Sequence, residues 1–319
     1  MRVLITGGAG MIGRKLTARL LADGKLNGKP IAELHLHDVV DAAIQGVVFH
    51  SGDLASAGVA EKLAALKPDV IFHLAGVVSG EAEANFELGY RVNLDGTRHL
   101  FEALRHAQIS PRVVFTSSIA VFGAPFPDLI PDDFHLTPLT SYGTQKMMSE
   151  ALLADYTRKG IFDGIGIRLP TICVRPGKPN KAASGFFSGI IREPLAGLPA
   201  ILPVPRDVVH THASPRSAIN FLIHAAGIDG ALVGQRRNIT MPGVGVTVQE
   251  QIDVLRAVAG DKVVALIKEQ PDETIWAIVK NWPTRFDAKR GRDLGFEAER
   301  NFEEIIRAHI ADELGGKVA

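Results

Sequence analysis

Tyr142 and Lys146 stand four residues apart in the stretch SYGTQK, in a chain that has only three tyrosines. On a helix, residues i and i+4 share a face, so the lysine ammonium comes beside the phenol. A neighbouring cation favours phenolate over phenol and moves a tyrosine from its ordinary pKa of about 10 toward the range where a general base works. Such a base can take the proton of an alcohol. The spacing recurs by chance in unrelated proteins, so the pair gains meaning only from its company.

The first companion is TGGAGMIGRKL near the N-terminus, which sets Gly7, Gly10 and Gly13 three residues apart with Met11 and Ile12 inside the run. The preceding RVLIT reads as a strand, and GRKLTARLLADG returns apolar residues every three or four positions, as a helix does. A dinucleotide pyrophosphate needs a tight turn, a backbone bare enough for close approach, and a helix N-terminus whose free N–H groups face its charge. All three requirements fall on these glycines. Asp38 ends a second strand, LHLHD, 25 residues after Gly13, close to the spacing at which a carboxylate accepts hydrogen bonds from ribose hydroxyls. An acid there repels a 2′-phosphate, and no arginine follows at 39–41, so NAD is expected over NADP. His35 and His37 alternate in the same strand, as His210 and His212 do later; without cysteine or carboxylate partners they read as structural, and no metal is expected.

Behind these residues lies a recurring pattern. Short apolar runs at 2–6, 33–40, 46–53, 69–76, 112–118 and 164–169 alternate with segments of helical spacing such as NLDGTRHLFEALRHA. Near-continuous apolar strands joined through helices imply a parallel sheet covered on both faces, a doubly wound α/β fold. After about residue 170 proline-rich, loop-like sequence takes over, and a helix at 214–226 and a strand at 236–241 look like a return to the first lobe. The expected division is a dinucleotide-binding domain over 1–170, rejoined at about 205–240, with a smaller substrate lobe from 171–204 and 241–319.

With 35 basic and 35 acidic residues in 319, and a pI near 7.2, nothing draws this surface to nucleic acid or anionic lipid. Cys173 is the single cysteine, which excludes an internal disulfide framework and fits a reducing compartment. The N-terminus enters its strand at once, leaving no room for an export signal, and apolar runs break before the roughly 20 residues a membrane helix needs. A soluble, cytoplasmic chain is expected.

The glycine loop, Asp38, GDL at 52–54, HLAG at 73–76, TSS at 116–118 and then SYGTQK form an ordered set that resembles the extended short-chain dehydrogenase/reductase family, which includes nucleotide-sugar epimerases and dehydratases. The resemblance covers roughly residues 1–170 and implies a Rossmann fold, an NAD cofactor and a Ser/Tyr/Lys site made of Ser118, Tyr142 and Lys146. It places Asp53 and Leu54 at the adenine, Leu74, Ala75 and Gly76 behind the cofactor, Asn93 on a helix, Ser117 beside Ser118, and Pro170 and Ile172 at the nicotinamide. In the implied reaction Tyr142 removes the alcohol proton, Ser118 hydrogen-bonds the same oxygen, and the cofactor accepts the hydride. A homodimer through the helices near 93–106 and 141–158 is likewise implied.

Within the family, Thr171 stands at a substrate-side position where sugar-nucleotide epimerases usually carry asparagine, and VVHTHASPRS lacks their acidic pair after a histidine. The stretches HLAGVVSGEAEANFELGYRVNLDGTR and RLPTICVRPGKPNKAASGFFSGIIREPLAG are similar to the D-erythronate dehydrogenase branch, implying oxidation of that four-carbon sugar acid at C2. A small hydroxy acid needs a cationic grip for its carboxylate. Arg175 is the first choice, Arg192 and Arg216 the alternatives, with Ser79 and Ser184 as hydroxyl donors. Cys173 reads as a small buried side chain. Two other classes fit the fold: an epimerase or dehydratase that keeps NAD bound and releases no NADH, and a non-catalytic NAD-sensing protein, which would be expected to lack Ser, Tyr or Lys.

Overall fold

The computed structural model describes residues 1–177 and 184–318. Seven strands build its main sheet: β1 (Arg2–Thr6), β2 (Glu33–Asp38), β3 (Val48–Ser51), β4 (Val70–His73), β5 (Arg112–Ser118), β6 (Asp163–Leu169) and, after an excursion, Asn238–Thr240. Their spatial order is β3-β2-β1-β4-β5-β6 and then Asn238–Thr240, every pairing parallel. The chain winds outward from β1 to β3, then returns to lay β4 on the other side of β1. That reversal opens a crevice beyond the carboxyl ends of β1 and β4, the place where such sheets bind ligands. Thr6 pairs with both His37 and His73, so the three strand ends stop level and their loops share one rim.

The central strands β1 and β4 are mostly apolar because both faces are covered. Val3 and Ile5 of β1 enter one core, with Leu16 and Leu20 of α1 (Met11–Asp23) and with Phe221 and Leu222. Leu4, pointing the other way, enters a second core with Leu100, Phe101 and Leu104 of α2 (Gly96–His106). Each fully buried side chain of this size contributes about 1.5–3 kcal/mol. A π-helical turn, Tyr90–Asp95, leads into α2. α3 (Ser141–Arg158) begins at Thr140, whose hydroxyl accepts the Gly143 N–H at 3.1 Å; this cap fixes Tyr142 in the first turn and Lys146 one turn later.

The proline-rich stretch after residue 170 holds more helix than its sequence suggests. α4 (Gly185–Leu195) buries Phe187, Ile190, Ile191 and Leu195 at helical spacing, and Pro194 is accommodated in its last turn. These side chains join Val248, Ile252 and Leu255 of Val248–Ala259 and Phe302, Ile305 and Ile306 of Phe302–Glu313 in a third core. A three-stranded sheet, Val244–Thr247 beside Val209–Ala213 beside Thr171–Ile172, carries the chain out of β6 along the crevice. Among the described residues no helix is long and apolar enough to cross a membrane.

Candidate active site

The glycine turn closes tightly against the loop after β4. Gly7 has φ +75, and a Cβ there would lie 2.7 Å from the Leu74 carbonyl carbon and from the Ala75 nitrogen. A Cβ on Gly13 would lie 2.8 Å from the Gly8 Cα, so helix and turn meet backbone to backbone. No side chain caps the start of α1 at Gly10, which leaves its first N–H groups facing the cleft. A bare turn and open helix donors suit a dinucleotide diphosphate. Asp38 holds the rim: one carboxylate oxygen accepts the Ala9 N–H at 2.9 Å and the other the Val39 N–H at 2.7 Å.

Farther along the rim, Asp53 pairs with Arg91 and accepts the Ala55 N–H, and Leu54 is buried beside them. Leu74 and Gly76 line the cleft, and Ala75 packs behind. Asn93, on the π-helical turn, accepts the Val77 N–H at 2.8 Å and donates to Gln145 at 2.8 Å, tying the loop after β4 to α3.

A continuous cleft of about 620 Å³ runs from Gly7, Gly10, Met11, Ile12 and Gly13 past Ser117, Ser118, Tyr142 and Lys146 to Pro170, Thr171, Ile172, Arg175, Ser184 and Arg192, with Ser79 on its wall. The Ser118 hydroxyl accepts the Ala120 N–H at 3.1 Å and shares the cleft wall with the Tyr142 phenol. Lys146 donates to the Thr116 carbonyl at 2.8 Å, with its nitrogen 5.7 Å from the Tyr142 ring centre and 4.8 Å from that of Phe115. The expected depression of the Tyr142 pKa by Lys146 is not what this geometry produces. Burial raises the phenol, and the influences opposing it are the Arg175 charge and the neighbouring Ser118 hydroxyl. Lys146, buried and turned to a carbonyl, is itself lowered to about 8. Ser117 gives its proton to Glu150 at 2.6 Å, inside the buried Glu150–Arg168 ion pair.

The three arginines separate. Arg175 donates to the Ile172 carbonyl at 3.0 Å and to Ser184 at 2.9 Å, and among the described residues no carboxylate pairs with it. Arg192 donates to the Arg175 carbonyl at 2.7 Å and pairs with Glu193, so it braces the Arg175 segment. Arg216 is a correction: it lies outside the cleft, half exposed at 53% and paired with Asp312. Cys173 is buried and its thiol is pushed up to about 12 by that burial, which makes it a poor nucleophile.

His35 bonds His50 and Glu33, and His212 bonds Gln251. His210 departs from the purely structural reading, because it lines the cleft against Thr171. Sequence reasoning also missed Ser188, Ile278, Asn281 and Trp282 on the cleft wall. No motif marks them; three arrive from a segment about a hundred residues beyond Arg175.

A parallel sheet with its glycine turn at the switch point, Ser118 at the end of β5 and Tyr142 and Lys146 on α3, is the Rossmann architecture of the extended short-chain dehydrogenases/reductases. The chain belongs to the NAD dependent epimerase/dehydratase family, which it matches over residues 3–211. It is 45% identical to the D-erythronate dehydrogenase of Cupriavidus necator, covering 98% of both chains. It is 40% identical to the D-erythronate dehydrogenase of Haemophilus influenzae, over 97% of this chain and 99% of that one. A crystal structure described as the nucleoside-diphosphate-sugar epimerase from Agrobacterium tumefaciens superimposes with a TM-score of 0.96 at 61% identity, over 100% of this chain and 96% of that one.

Proposed function

We propose that this protein is an NAD-dependent dehydrogenase that oxidises D-erythronate at C2 to 2-dehydro-D-erythronate. The observation that carries the reading is Arg175: a guanidinium in the cleft wall, without a carboxylate partner among the described residues, electrostatically coupled to Tyr142. A carboxylate entering the cleft completes that ion pair, and the adjoining hydroxyl then meets Ser118 and Tyr142. The two curated relatives named for this reaction support the choice of acid.

In this reading residues 1–170, rejoined at 205–240, hold NAD, while 171–204 and 241–319 hold the acid. Gly7, Gly10, Met11, Ile12 and Gly13 bind the diphosphate, Asp38 the adenosine ribose, Asp53 and Leu54 the adenine, and Leu74, Ala75, Gly76, Asn93, Pro170 and Ile172 the rest. NAD, when bound, accepts the hydride released from C2. Ser118 holds the substrate hydroxyl, and Tyr142 takes its proton. Arg175, with Ser184, fixes the carboxylate, so that only C2 presents its hydroxyl to Tyr142. We also assign the protein to the cytoplasm, to sugar-acid catabolism and to a homodimer formed through α2 and α3.

The Agrobacterium relative gives a second reading, a sugar-nucleotide epimerase. Incubating the purified protein with NAD and either four- and five-carbon sugar acids or UDP-sugars separates the two. Steady NADH formation with D-erythronate is expected. Conversion of a UDP-sugar with no net NADH would replace the dehydrogenase reading by the epimerase one.

A further inference from the structure

His210 Nδ1 lies 2.9 Å from the Pro283 carbonyl oxygen, and its Nε2 lies 2.7 Å from the Thr171 hydroxyl oxygen. A carbonyl can only accept, so Nδ1 carries the ring proton. Burial drives this imidazole down to about 4, which leaves Nε2 bare at neutral pH and makes Thr171 the donor. The ring cannot swing away easily: it stacks on Phe187 at 5.1 Å with 5° between the planes, and Trp282 lies 5.4 Å off. Among the described residues the Thr171 hydroxyl makes no other hydrogen bond. Its proton is committed, so it can offer the cleft only a lone pair.

We infer that Thr171 is a specificity-determining residue, an acceptor-only oxygen poised by Pro283 and His210 to receive a hydrogen bond from a substrate hydroxyl beyond the oxidised carbon. The inference rests on the dehydrogenase reading and deepens it. Thr171 lines the same cleft as Tyr142 and Arg175, so an acid fixed at C1 and C2 extends its remaining carbons along this wall. A hydroxyl there finds an acceptor. A methylene leaves the oxygen unsatisfied, and a second carboxylate meets lone pair with charge. The favoured class is therefore a short hydroxy acid with further hydroxyls, not a dicarboxylic acid or a simple 2-hydroxy acid. His210 acts through Thr171 and is a positioning residue.

The test compares kcat/KM for D-erythronate, its 3-deoxy analogue and its 4-deoxy analogue in the full-length parent, Thr171→Val, Thr171→Ser and His210→Phe, with NAD titration as the check on folding. In the parent, one deoxy analogue is expected to fall about tenfold to a hundredfold below D-erythronate. Thr171→Val should abolish that gap, Thr171→Ser should restore it, and His210→Phe, which keeps the aromatic stack but frees the hydroxyl proton, should narrow it. An equal gap for both analogues in parent and Thr171→Val overturns the inference and leaves the dehydrogenase reading intact. A parent that forms no NADH from D-erythronate sinks both.

Discussion

Two cations stand near Tyr142, and only one of them acts on its phenol. Arg175 acts on the phenol directly, whereas Lys146 points its nitrogen at the Thr116 carbonyl. A base withdrawn from its work should cost about a hundredfold to ten-thousandfold in kcat. Tyr142→Phe is therefore expected to lose turnover on that scale while NAD titration stays nearly unchanged; unimpaired turnover would remove Tyr142 from the chemistry. The arginines divide just as sharply. Arg175→Gln should raise KM for the acid about tenfold to a hundredfold, since a charge-assisted contact is lost. Arg216→Gln should leave KM alone and cost at most about 1 kcal/mol of stability, the worth of an exposed ion pair; steady-state kinetics and denaturant titration of the two variants decide between them. Sequence could not make that division, because the partner that occupies Arg216 is 96 residues away. The i, i+4 pair and the glycine spacing were legible because a single helix and a single turn contain them.

At the scale of elements, function depends on how closely turns approach one another. Gly7 carries both constraints, a left-handed φ of +75 and a neighbouring backbone at 2.7 Å, and Cβ atoms do not fit at that distance. Gly7→Ala should therefore push apart the turn after β1 and the loop after β4, lowering stability by about 1–3 kcal/mol and weakening NAD binding by about fivefold or more. Calorimetric titration with NAD, set beside a denaturation curve, tests this; native NAD affinity in the variant would show that the turn does not form the diphosphate site. The strands of the main sheet could be read in the chain because burial on both faces leaves their central stretches, such as Val3–Ile5, Val70–Phe72 and Val113–Phe115, apolar. α4 could not be, because Pro194 and neighbouring glycines disguise a helix whose Phe187, Ile190 and Ile191 face a core assembled from residues far along the chain. The wall residues Asn281 and Trp282 carry no local signal for the same reason: only tertiary packing brings them to the cleft.

Taken as a whole, the molecule keeps an ionisable amine in a place that opposes folding. Lys146 is buried, and its pKa falls from 10.5 to about 8, a charge-burial cost of about 3 kcal/mol. Below about pH 8 folded and unfolded chains both hold the proton, so the whole cost is present. Between about pH 8 and 10.5 the unfolded chain keeps a proton that the folded one has released, and stability rises with pH by linkage. Cys173, raised to about 12, and Tyr156, also raised to about 12, push the other way as their unfolded forms ionise, so the parent's curve alone is ambiguous. Lys146→Met removes one contribution and leaves the others. Denaturant titrations of both proteins, stepped upward from about pH 7, should show the variant more stable than the parent at the start and the difference shrinking as Lys146 discharges. Parallel curves would mean that the amine is solvated in the folded chain, and that the cleft does not hold it as a poised charge beside Tyr142.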